Sequence, residues 1–310
     1  MQVFFLYAAT VAIWGSTWLA IEFQLGDVPS QVSLFYRFAL AAVLMWVLCA
    51  VRKTPLRFSR QNHLFFALQG IAIFCLNYVF LYWSQTYLTS AMACIAFSTL
   101  MIMNIVNARI IFGNRVANRI YVGAALGILG IISLFWDDVK ALDFTSEAMT
   151  GLGLALVGTF SASMGNMVTV RNGKQKINVF ASNTWGMSYG AVFLLLYVLF
   201  SGVEWKFDTS PAYVLSLLHL SVLGTVVGFA CYFALFNRIG PEKTSYANVL
   251  FPVVAVILST LYEGFQWHQN TLIGFALVMC GNLLVLMPSK QLVKLTRWLK
   301  PTAAKSAELG

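Results

Sequence analysis

The chain has 310 residues, of which 59% are hydrophobic and only 10% are charged, and its formal net charge is +9. This composition supplies too little polar surface to cover a soluble particle of that size, so it excludes a soluble globular protein and predicts an integral membrane protein. About 20 residues cross a hydrocarbon layer of roughly 30 Å, so ten crossings use about 200 residues and leave only short connections.

Ten apolar runs predict ten transmembrane helices. In the first half of the chain they cover residues 3–23, 31–51, 63–84, 88–112 and 119–136. In the second half they cover residues 149–170, 177–202, 213–237, 244–263 and 271–288. The strands of a membrane barrel alternate in polarity at every second residue, and these runs do not. The predicted fold class is therefore an all-α integral membrane protein.

The first predicted helix carries two tryptophans near its middle, away from the membrane interface where tryptophan is usually found. Trp14 and Thr17 are three residues apart and share one face, which makes them candidate substrate-binding residues. Gly15 lies between them and lets another backbone approach, so it is a candidate hinge. Packing in the protein core explains the same pattern equally well.

Two charged side chains enter the outer half of the predicted bundle. Glu22 ends the first helix, and Arg37 lies about two turns inside the second. An ion pair between them across adjacent helices would act as an outer gate or as a structural latch, and the sequence favours the structural role.

Polar residues also lie within the third and fourth predicted helices. Asn77, Tyr78 and Tyr82 fall along one stripe of a helix with 3.6 residues per turn. A polar side chain in hydrocarbon is costly, so such a group facing the bundle interior is a candidate substrate site. A hydrogen-bond network between helices, together with a belt of tyrosines at the interface, would produce the same stripe. Asn104 in the fourth helix is a further candidate for the cavity.

The second half of the chain offers its own candidates. In the sixth helix, small residues four apart let helices meet closely, so Gly165 is a candidate hinge and Asn166 a candidate substrate contact. In the ninth helix, Pro252 removes one backbone hydrogen bond and frees a carbonyl near Asn248, which makes it a third candidate hinge. Asn248 and Tyr232 are the remaining candidate substrate-binding residues.

The two halves of the chain repeat one order of residues. Each half has a Thr-Ser pair followed by two glycines seven residues apart: 89–91, Gly123 and Gly130 in the first, and 244–247, Gly274 and Gly281 in the second. A repeat of five helices enters the membrane from the opposite side on its second appearance. Residues 1–140 and 149–288 are therefore predicted to form two inverted five-helix repeats, followed by a basic cytoplasmic tail at 289–310.

The connections between the predicted helices divide by charge. All but three of the 20 Lys and Arg residues fall on one side of the membrane, together with both ends of the chain. Most of the acidic residues fall on the other side. By the positive-inside rule the basic side is cytoplasmic, so both termini are predicted to lie in the cytoplasm. The net positive charge thus reflects membrane topology and not nucleic-acid binding.

Several chemical groups are missing from the predicted membrane interior. No Asp, Glu or Lys lies near the middle of a predicted helix, so the sequence offers no carboxylate on which to load a coupling proton. A neutral or zwitterionic solute fits such a cavity, where amides, hydroxyls and backbone groups lie beside aromatic walls. The spacing of His63, His219 and His268 gives no metal pair, and the sequence contains no enzyme or cofactor motif.

These residues resemble the drug/metabolite transporter superfamily, and within it the EamA family. The resemblance rests on the segment 14–18 (WGSTW), Arg37, the segment 240–245 (GPEKTS), Pro252, and Glu263-Gly264 ahead of Gly274 and Gly281. It implies a basket of ten helices around a cavity lined mainly by the first, third, fourth, sixth, eighth and ninth. Family members export amino acids and related metabolites, and the YddG-type branch exports aromatic amino acids. The segment 113–115 (GNR) departs from the Gly-Glu-Arg that is frequent in the family.

The sequence therefore predicts a secondary transporter in a prokaryotic cytoplasmic membrane that exports small amphipathic metabolites, amino acids first, by alternating access. Without proton coupling, the same architecture would be a passive facilitator or exchanger of neutral metabolites. The third alternative is a membrane scaffold protein that transports nothing. In that case a stripe formed by Gly123, Gly127 and Gly130 would pack a partner helix or a second copy in a homodimer, although packing inside the bundle explains the stripe as well.

Overall fold

A computed structural model describes residues 2–113, 118–136, 146–245 and 247–286. Within these ranges the chain forms helices and no strand, which confirms the predicted all-helical class. The predicted tail at 289–310 lies outside the described residues. The segment 137–145, in which the first predicted repeat ends, also lies outside them.

The described residues of the first half form five helices. They are α1 (Gln2–Glu22), α2 (Ser30–Val51), α3 (Arg60–Gln85), α4 (Ser90–Phe112) and α5 (Asn118–Leu134). α3 has a π-helical centre, Gly70–Asn77, between the α-helical parts Arg60–Gln69 and Tyr78–Gln85. α4 is interrupted after Phe97 and resumes at Leu100.

The second half, as far as it is described, also forms five helices. They are α6 (Glu147–Lys174), α7 (Val179–Ser201), α8, α9 (Ala247–Tyr262) and α10 (Gln269–Leu286). α8 consists of Pro211–Leu218, a π-helical segment at His219–Val227, and Gly228–Ser245. Like α3, which is also the third helix of its half, α8 therefore contains π-helical turns.

Seven of these helices are long and apolar enough to cross a membrane: α1, α2, α3, α4, α6, α7 and the part Pro211–Tyr232 of α8. The other three have shorter apolar stretches: Asn118–Leu134 in α5, Leu250–Tyr262 in α9 and Gln269–Leu284 in α10. A chain with seven helices of this length and composition is a multi-pass membrane protein.

Side-chain caps set where several helices begin. The hydroxyl of Ser59 accepts a hydrogen bond from the backbone N–H of Asn62 at the start of α3, and Thr89 does the same for Met92 in α4. Such caps satisfy N–H groups that have no partner within the helix. At its other end, α7 stops at Gly202, whose φ of 68° is a left-handed conformation that favours glycine.

α2 and α7, the second helix of each half, pack against each other. Trp46 Nε1 donates a hydrogen bond of 3.0 Å to Ser188 Oγ, and Cys49 Sγ lies 3.2 Å from Thr184 Oγ1. From the first contact to the second, the residue number increases in α2 and decreases in α7. The two helices therefore run antiparallel.

α5 and α10, the fifth helix of each half, pack so closely that their contact requires glycine. A Cβ atom at Gly130 would lie 2.8 Å from the carbonyl oxygen of Gly274, and one at Gly281 would lie 2.6 Å from that of Gly123. This pairing also runs antiparallel. The glycine stripe of α5 therefore packs inside the bundle, and α10 covers the face that the scaffold and homodimer interpretations require.

The fourth helix of each half departs from regular α-helical hydrogen bonding, by different means. At the interruption of α4, the hydroxyls of Ser98 and Thr99 donate to the carbonyls of Ile95 and Ala96 at 2.6 and 2.8 Å. These bonds satisfy carbonyls near the interruption. In α9, Pro252 lies inside the helix and has no N–H to donate. α4 is therefore irregular although it contains no proline.

We expect Gly130→Ala to destabilise the protein, because its new methyl group would meet the α10 backbone at 2.8 Å. Overpacking of this kind costs about 1–3 kcal/mol. The matched control is Gly153→Ala in α6, where nothing lies within 4 Å of an added Cβ atom. Melting temperatures of the two variants in detergent check the contact. Equal values would show that α5 and α10 are not in close contact.

Candidate functional site

A cavity of about 830 Å³ lies inside the bundle, and helices α1 to α10 all contribute to its wall. It extends from Trp18 and Tyr78 to the end of the bundle at which α1 begins, where Arg119 and Asn282 lie. Most of the lining is aromatic and aliphatic, and a smaller number of polar side chains face the same space. A cavity of this size and lining is typical of a small-molecule site.

Trp14 is the centre of an aromatic cluster in the cavity wall. Its ring centroid lies 5.3, 5.1 and 5.5 Å from those of Phe229, Tyr232 and Phe251. Its indole Nε1 donates a hydrogen bond of 2.8 Å to the carbonyl of Gly224, in the π-helical segment of α8. An indole N–H inside the protein needs a hydrogen-bond partner, and for the half-buried Trp14 the partner is a backbone carbonyl in an irregular helix. Trp14 therefore links α1 to both α8 and α9.

Five asparagines line the same cavity: Asn104, Asn166, Asn183, Asn248 and Asn282. Asn166 Nδ2 lies 3.3 Å from Asn104 Oδ1 and donates to it, which joins α6 to α4. Asn183 Oδ1 accepts a hydrogen bond of 2.9 Å from Gln69 Nε2. An amide carries both donors and an acceptor. These side chains can therefore pair with ammonium, carboxylate or hydroxyl groups of a solute.

The structure places six of the nine predicted substrate-binding residues on the cavity wall: Trp14, Tyr78, Asn104, Asn166, Tyr232 and Asn248. They come from α1, α3, α4, α6, α8 and α9, the helices that the family resemblance implied. The fold thus brings together residues that are far apart in the sequence. Their contact with a solute stays a prediction.

Thr17, Asn77 and Tyr82 do not line the cavity. Thr17 Oγ1 donates to the carbonyl of Trp14 at 2.7 Å, within its own helix. Asn77 Nδ2 points back to a carbonyl of α3, 3.4 Å away, and the residue is buried. Tyr82 is fully buried. The cavity ends at the level of Tyr78, one turn before Tyr82, so only part of the predicted stripe reaches it.

The three predicted hinges lie where the structure is closely packed or irregular. A Cβ atom at Gly15 would lie 2.5 Å from Val254 Cβ in α9, and one at Gly165 would collide with Ile73 in α3. Pro252 lines the cavity. Bending at these positions stays a prediction. Movement at Gly15 or Gly165 would have to change a direct contact between helices.

The predicted ion pair between Glu22 and Arg37 is wrong, since among the described residues no carboxylate lies within 4.0 Å of the Arg37 guanidinium. Arg37 turns toward α3 instead, with its guanidinium carbon 4.4 Å from the centre of the Tyr78 ring. Glu22 lies near Glu263. Arg37 follows the start of α2 by about two turns, or roughly 10 Å, so it lies deeper than the end of α1.

Asn183, Asn282 and Arg119 also line the cavity, although they were not among the predicted site residues. Arg119 is the second residue of α5, and Asn183 and Asn282 each lie about one turn from an end of their helices, where a polar side chain normally faces water. Asn183 and Asn282 both gave a signal, because each lies six residues inside its predicted run, 177–202 and 271–288. Phe229 and Phe251 were missed as well, because an aromatic residue on a cavity wall has the same sequence pattern as one in the core.

Hydrogen bonds between helices lie at the opposite end of the bundle, which the cavity does not reach. Gln24 Nε2, just after α1, donates to the carbonyl of Tyr213 and to Ser216 Oγ in α8, at 3.0 and 2.6 Å. The Glu263 carboxylate, just after α9, accepts from the backbone N–H and the hydroxyl of Ser90, at 3.1 and 2.6 Å. α1 is thereby tied to α8, and α9 to α4.

Known proteins resemble this chain over nearly its whole length. The sequence profile of the EamA-like transporter family matches residues 2–136 and 149–287. An uncharacterized transporter of Bacillus subtilis (strain 168), YoaV, is 24% identical over 274 residues, which are 87% of this chain and 91% of that protein. Protein PagO of Salmonella typhimurium is 23% identical over 297 residues, which are 93% of each chain.

The chain is also similar to a probable efflux pump in sequence and to a solved structure in fold. A probable amino-acid metabolite efflux pump of Escherichia coli (strain K12) is 23% identical over 279 residues, which are 87% of this chain and 90% of that protein. A solved structure described only as the crystal structure of a protein superposes with a TM-score of 0.66 at 15% identity, over 96% of this chain and 98% of that chain. At that identity the similarity shows a common fold.

We expect a cysteine on the cavity wall to react with a charged thiol reagent added from water. With the five native cysteines replaced, Asn104→Cys should react at least about tenfold faster than Ala96→Cys, because Asn104 lines the cavity and Ala96 is fully buried in the same helix. Mass spectrometry after timed exposure to a cationic methanethiosulfonate measures both rates. Equal rates would mean that water does not reach Asn104.

Proposed function

Because the chain belongs to the EamA-like transporter family, we propose that it is a secondary transporter that exports small amphipathic metabolites, amino acids above all, by alternating access. The observation that carries this proposal is the 830 Å³ cavity, where the Trp14 cluster and the asparagines line one space. Aromatic rings can hold an apolar side chain, and amides can pair with ammonium and carboxylate groups. The relatives named as probable amino-acid metabolite efflux pumps support this substrate class.

The proposed architecture is ten membrane crossings in two inverted repeats, residues 1–140 and 149–288. Antiparallel contacts of α2 with α7 and of α5 with α10 support it, because each pair joins helices at the same position in the two halves. The π-helical segments of α3 and α8 are a second correspondence between the halves. An odd number of crossings per repeat produces the inversion, so α5, α9 and α10 also cross the membrane.

The end of the bundle at which α1 begins is proposed to face the cytoplasm of a prokaryotic cell. Basic residues gather at this end: Arg52, Lys53, Arg60, Arg109, Arg119, Arg171, Lys174, Lys176 and Arg238. Acidic residues gather at the other: Glu22, Asp27, Glu147, Glu204, Asp208 and Glu263. The positive-inside rule assigns the basic end to the cytoplasm, together with both termini. The cavity then extends toward the cytoplasm, from which an exporter takes its solute.

Export requires the outer end to open while the cytoplasmic end closes. The contacts of Gln24 with Ser216 and of Glu263 with Ser90 would break in that step, because they tie helices together at the outer end. α5 and α10 are packed too closely at their glycines to shift relative to each other, so these two helices would move as one unit. The proposed bending points are the hinges at Gly15, Gly165 and Pro252 and the π-helical segments of α3 and α8.

We expect Asn166→Ala to lower amino-acid transport about tenfold, because it removes an amide from the cavity wall and leaves Asn104 without that donor. The matched control is Asn270→Ala at the start of α10, where the backbone carbonyl and not the side chain bonds Ser133. Uptake of radiolabelled amino acids into proteoliposomes measures both variants. If the folded wild-type protein moves no amino acid, the substrate class is rejected.

A passive facilitator or exchanger is the second candidate, and the lining of the cavity favours it. Among the described residues, no Asp, Glu, Lys or His lines the cavity, so the wall offers no such side chain to carry a coupling proton. We expect amino-acid flux in proteoliposomes to be unchanged by an imposed pH gradient. Ionophores that collapse the gradient are the control, and a flux that rises with the gradient would contradict passive transport.

A further inference from the structure

Arg37 is a buried cation beside the cavity, and it has no anionic partner among the described residues. It is 3% exposed, and no carboxylate lies within 4.0 Å of it. Its guanidinium carbon lies 4.4 Å from the Tyr78 ring centre and 5.2 Å from that of Phe38. Nη1 lies 3.4 Å from Tyr82 OH, and Nε has no hydrogen-bond partner.

These contacts use little of what a guanidinium offers. The group stays protonated at physiological pH and has five N–H donors. At Arg37 one donor makes a long contact to Tyr82, and two aromatic faces offset part of the cost of burying the charge. A buried charge without a partner of opposite sign is unfavourable. The free donors and the charge fit an anionic group better than they fit the side chains around them.

Arg37 lies directly behind the end of the cavity that is farthest from the start of α1. Tyr78 and Phe38, the two rings on the guanidinium, both line the cavity. The Arg37 carbonyl accepts a hydrogen bond of 3.2 Å from Ser221 Oγ, which fixes this part of α2 against the π-helical segment of α8. Low-dielectric walls screen a charge weakly. The deep end of the cavity is therefore electropositive.

We propose that Arg37 recognises the carboxylate of the transported solute, so that only compounds with a free carboxylate are substrates. This inference rests on the proposed transport function and narrows it. In the described conformation, Arg37 attracts the carboxylate to the deep end of the cavity across the Tyr78 ring. Rotation of that ring brings the guanidinium into direct contact with the solute, where it can bind both carboxylate oxygens.

Matched ligands test the proposal on the purified wild-type protein in detergent. The probes are L-phenylalanine, its carboxamide L-phenylalaninamide, and 3-phenylpropionate, which keeps the carboxylate and has no amine. L-Leucine and L-threonine with their carboxamides extend the panel to other side chains. Isothermal titration calorimetry measures each Kd. In the pair that binds best, we expect the carboxylate to bind at least about tenfold more tightly than the carboxamide, which corresponds to about 1.4 kcal/mol.

Variants then assign the preference to Arg37. Arg37→Gln and Arg37→Met are expected to bind each carboxylate and its carboxamide equally. The matched control is Arg52→Gln in the same helix, where the guanidinium lies 4.7 Å from the Phe180 ring and outside the cavity wall. This control should keep the full preference. Arg37→Met is included because it removes a buried charge that has no partner of opposite sign, and with it the cost of desolvating that charge, while it keeps an apolar side chain of similar length.

Each other outcome overturns the proposal. If the wild-type protein shows no carboxylate preference in any of the pairs, carboxylate recognition is excluded. A wild-type protein that binds none of the probes gives the same conclusion. Variants of Arg37 that keep the preference assign it elsewhere. If both Arg37 variants misfold while Arg52→Gln folds, the role of Arg37 is structural.

The transport proposal can fail separately from this one. Proteoliposomes that move no amino acid, with a protein that still prefers carboxylates, would reject amino-acid export and keep the Arg37 site. If the proteoliposomes transport amino acids and their carboxamides equally fast, the transport proposal stands and the Arg37 site is rejected.

Discussion

Hydrocarbon offers no hydrogen-bond partner, so backbone N–H and C=O groups within a membrane must be satisfied by the protein itself. Where described helices depart from regular α-helical hydrogen bonding, the irregular segment itself lies at the cavity wall: Phe74 in α3, Ser98 in α4, Gly224 in α8 and Pro252 in α9 all line it. Side chains supply partners at these places: Ser98 and Thr99 bond carbonyls in α4, and Trp14 bonds the Gly224 carbonyl in α8. Irregular backbone and polar cavity surface therefore occur together, because each needs the other in order to be tolerated in the membrane.

Polar side chains of the cavity wall also have hydrogen-bond partners within the protein. Asn166 donates to Asn104, and Asn183 accepts from Gln69, so these amides have hydrogen-bond partners within the protein while they face the cavity. A solute that enters replaces one set of hydrogen bonds by another, and such an exchange contributes only a small net free energy. Modest affinity suits a transporter, which has to release what it binds. If the Trp14 cluster contacts the solute as proposed, that apolar contact would add affinity without strict selection among side chains.

An arginine lies at each of the two ends of the cavity. Arg119 lines the end near the start of α1, and Arg37 lies behind the rings that close the other. Asn104, Asn166 and the Trp14 cluster lie between them. If Arg37 recognises a carboxylate, a zwitterionic solute is oriented with that group toward the end of the bundle where Gln24 and Glu263 lie. The contacts of Gln24 and Glu263 at that end would then break above the bound carboxylate during export.

Long apolar runs determined the all-helical class and the approximate place of every described helix, because burial in hydrocarbon acts on each run independently of the others. Asparagine and tyrosine inside those runs also marked candidates for the cavity, Asn104, Asn166 and Asn248 among them. The same signal marked Tyr82, which does not line the cavity, and it could not mark Phe229 and Phe251, which do. Periodicity tells which residues share a face of one helix, whereas the neighbour of that face depends on how all the helices pack. Only the tertiary structure could therefore pair Gly130 with Gly274, and only it could place Arg37 against Tyr78 and away from Glu22.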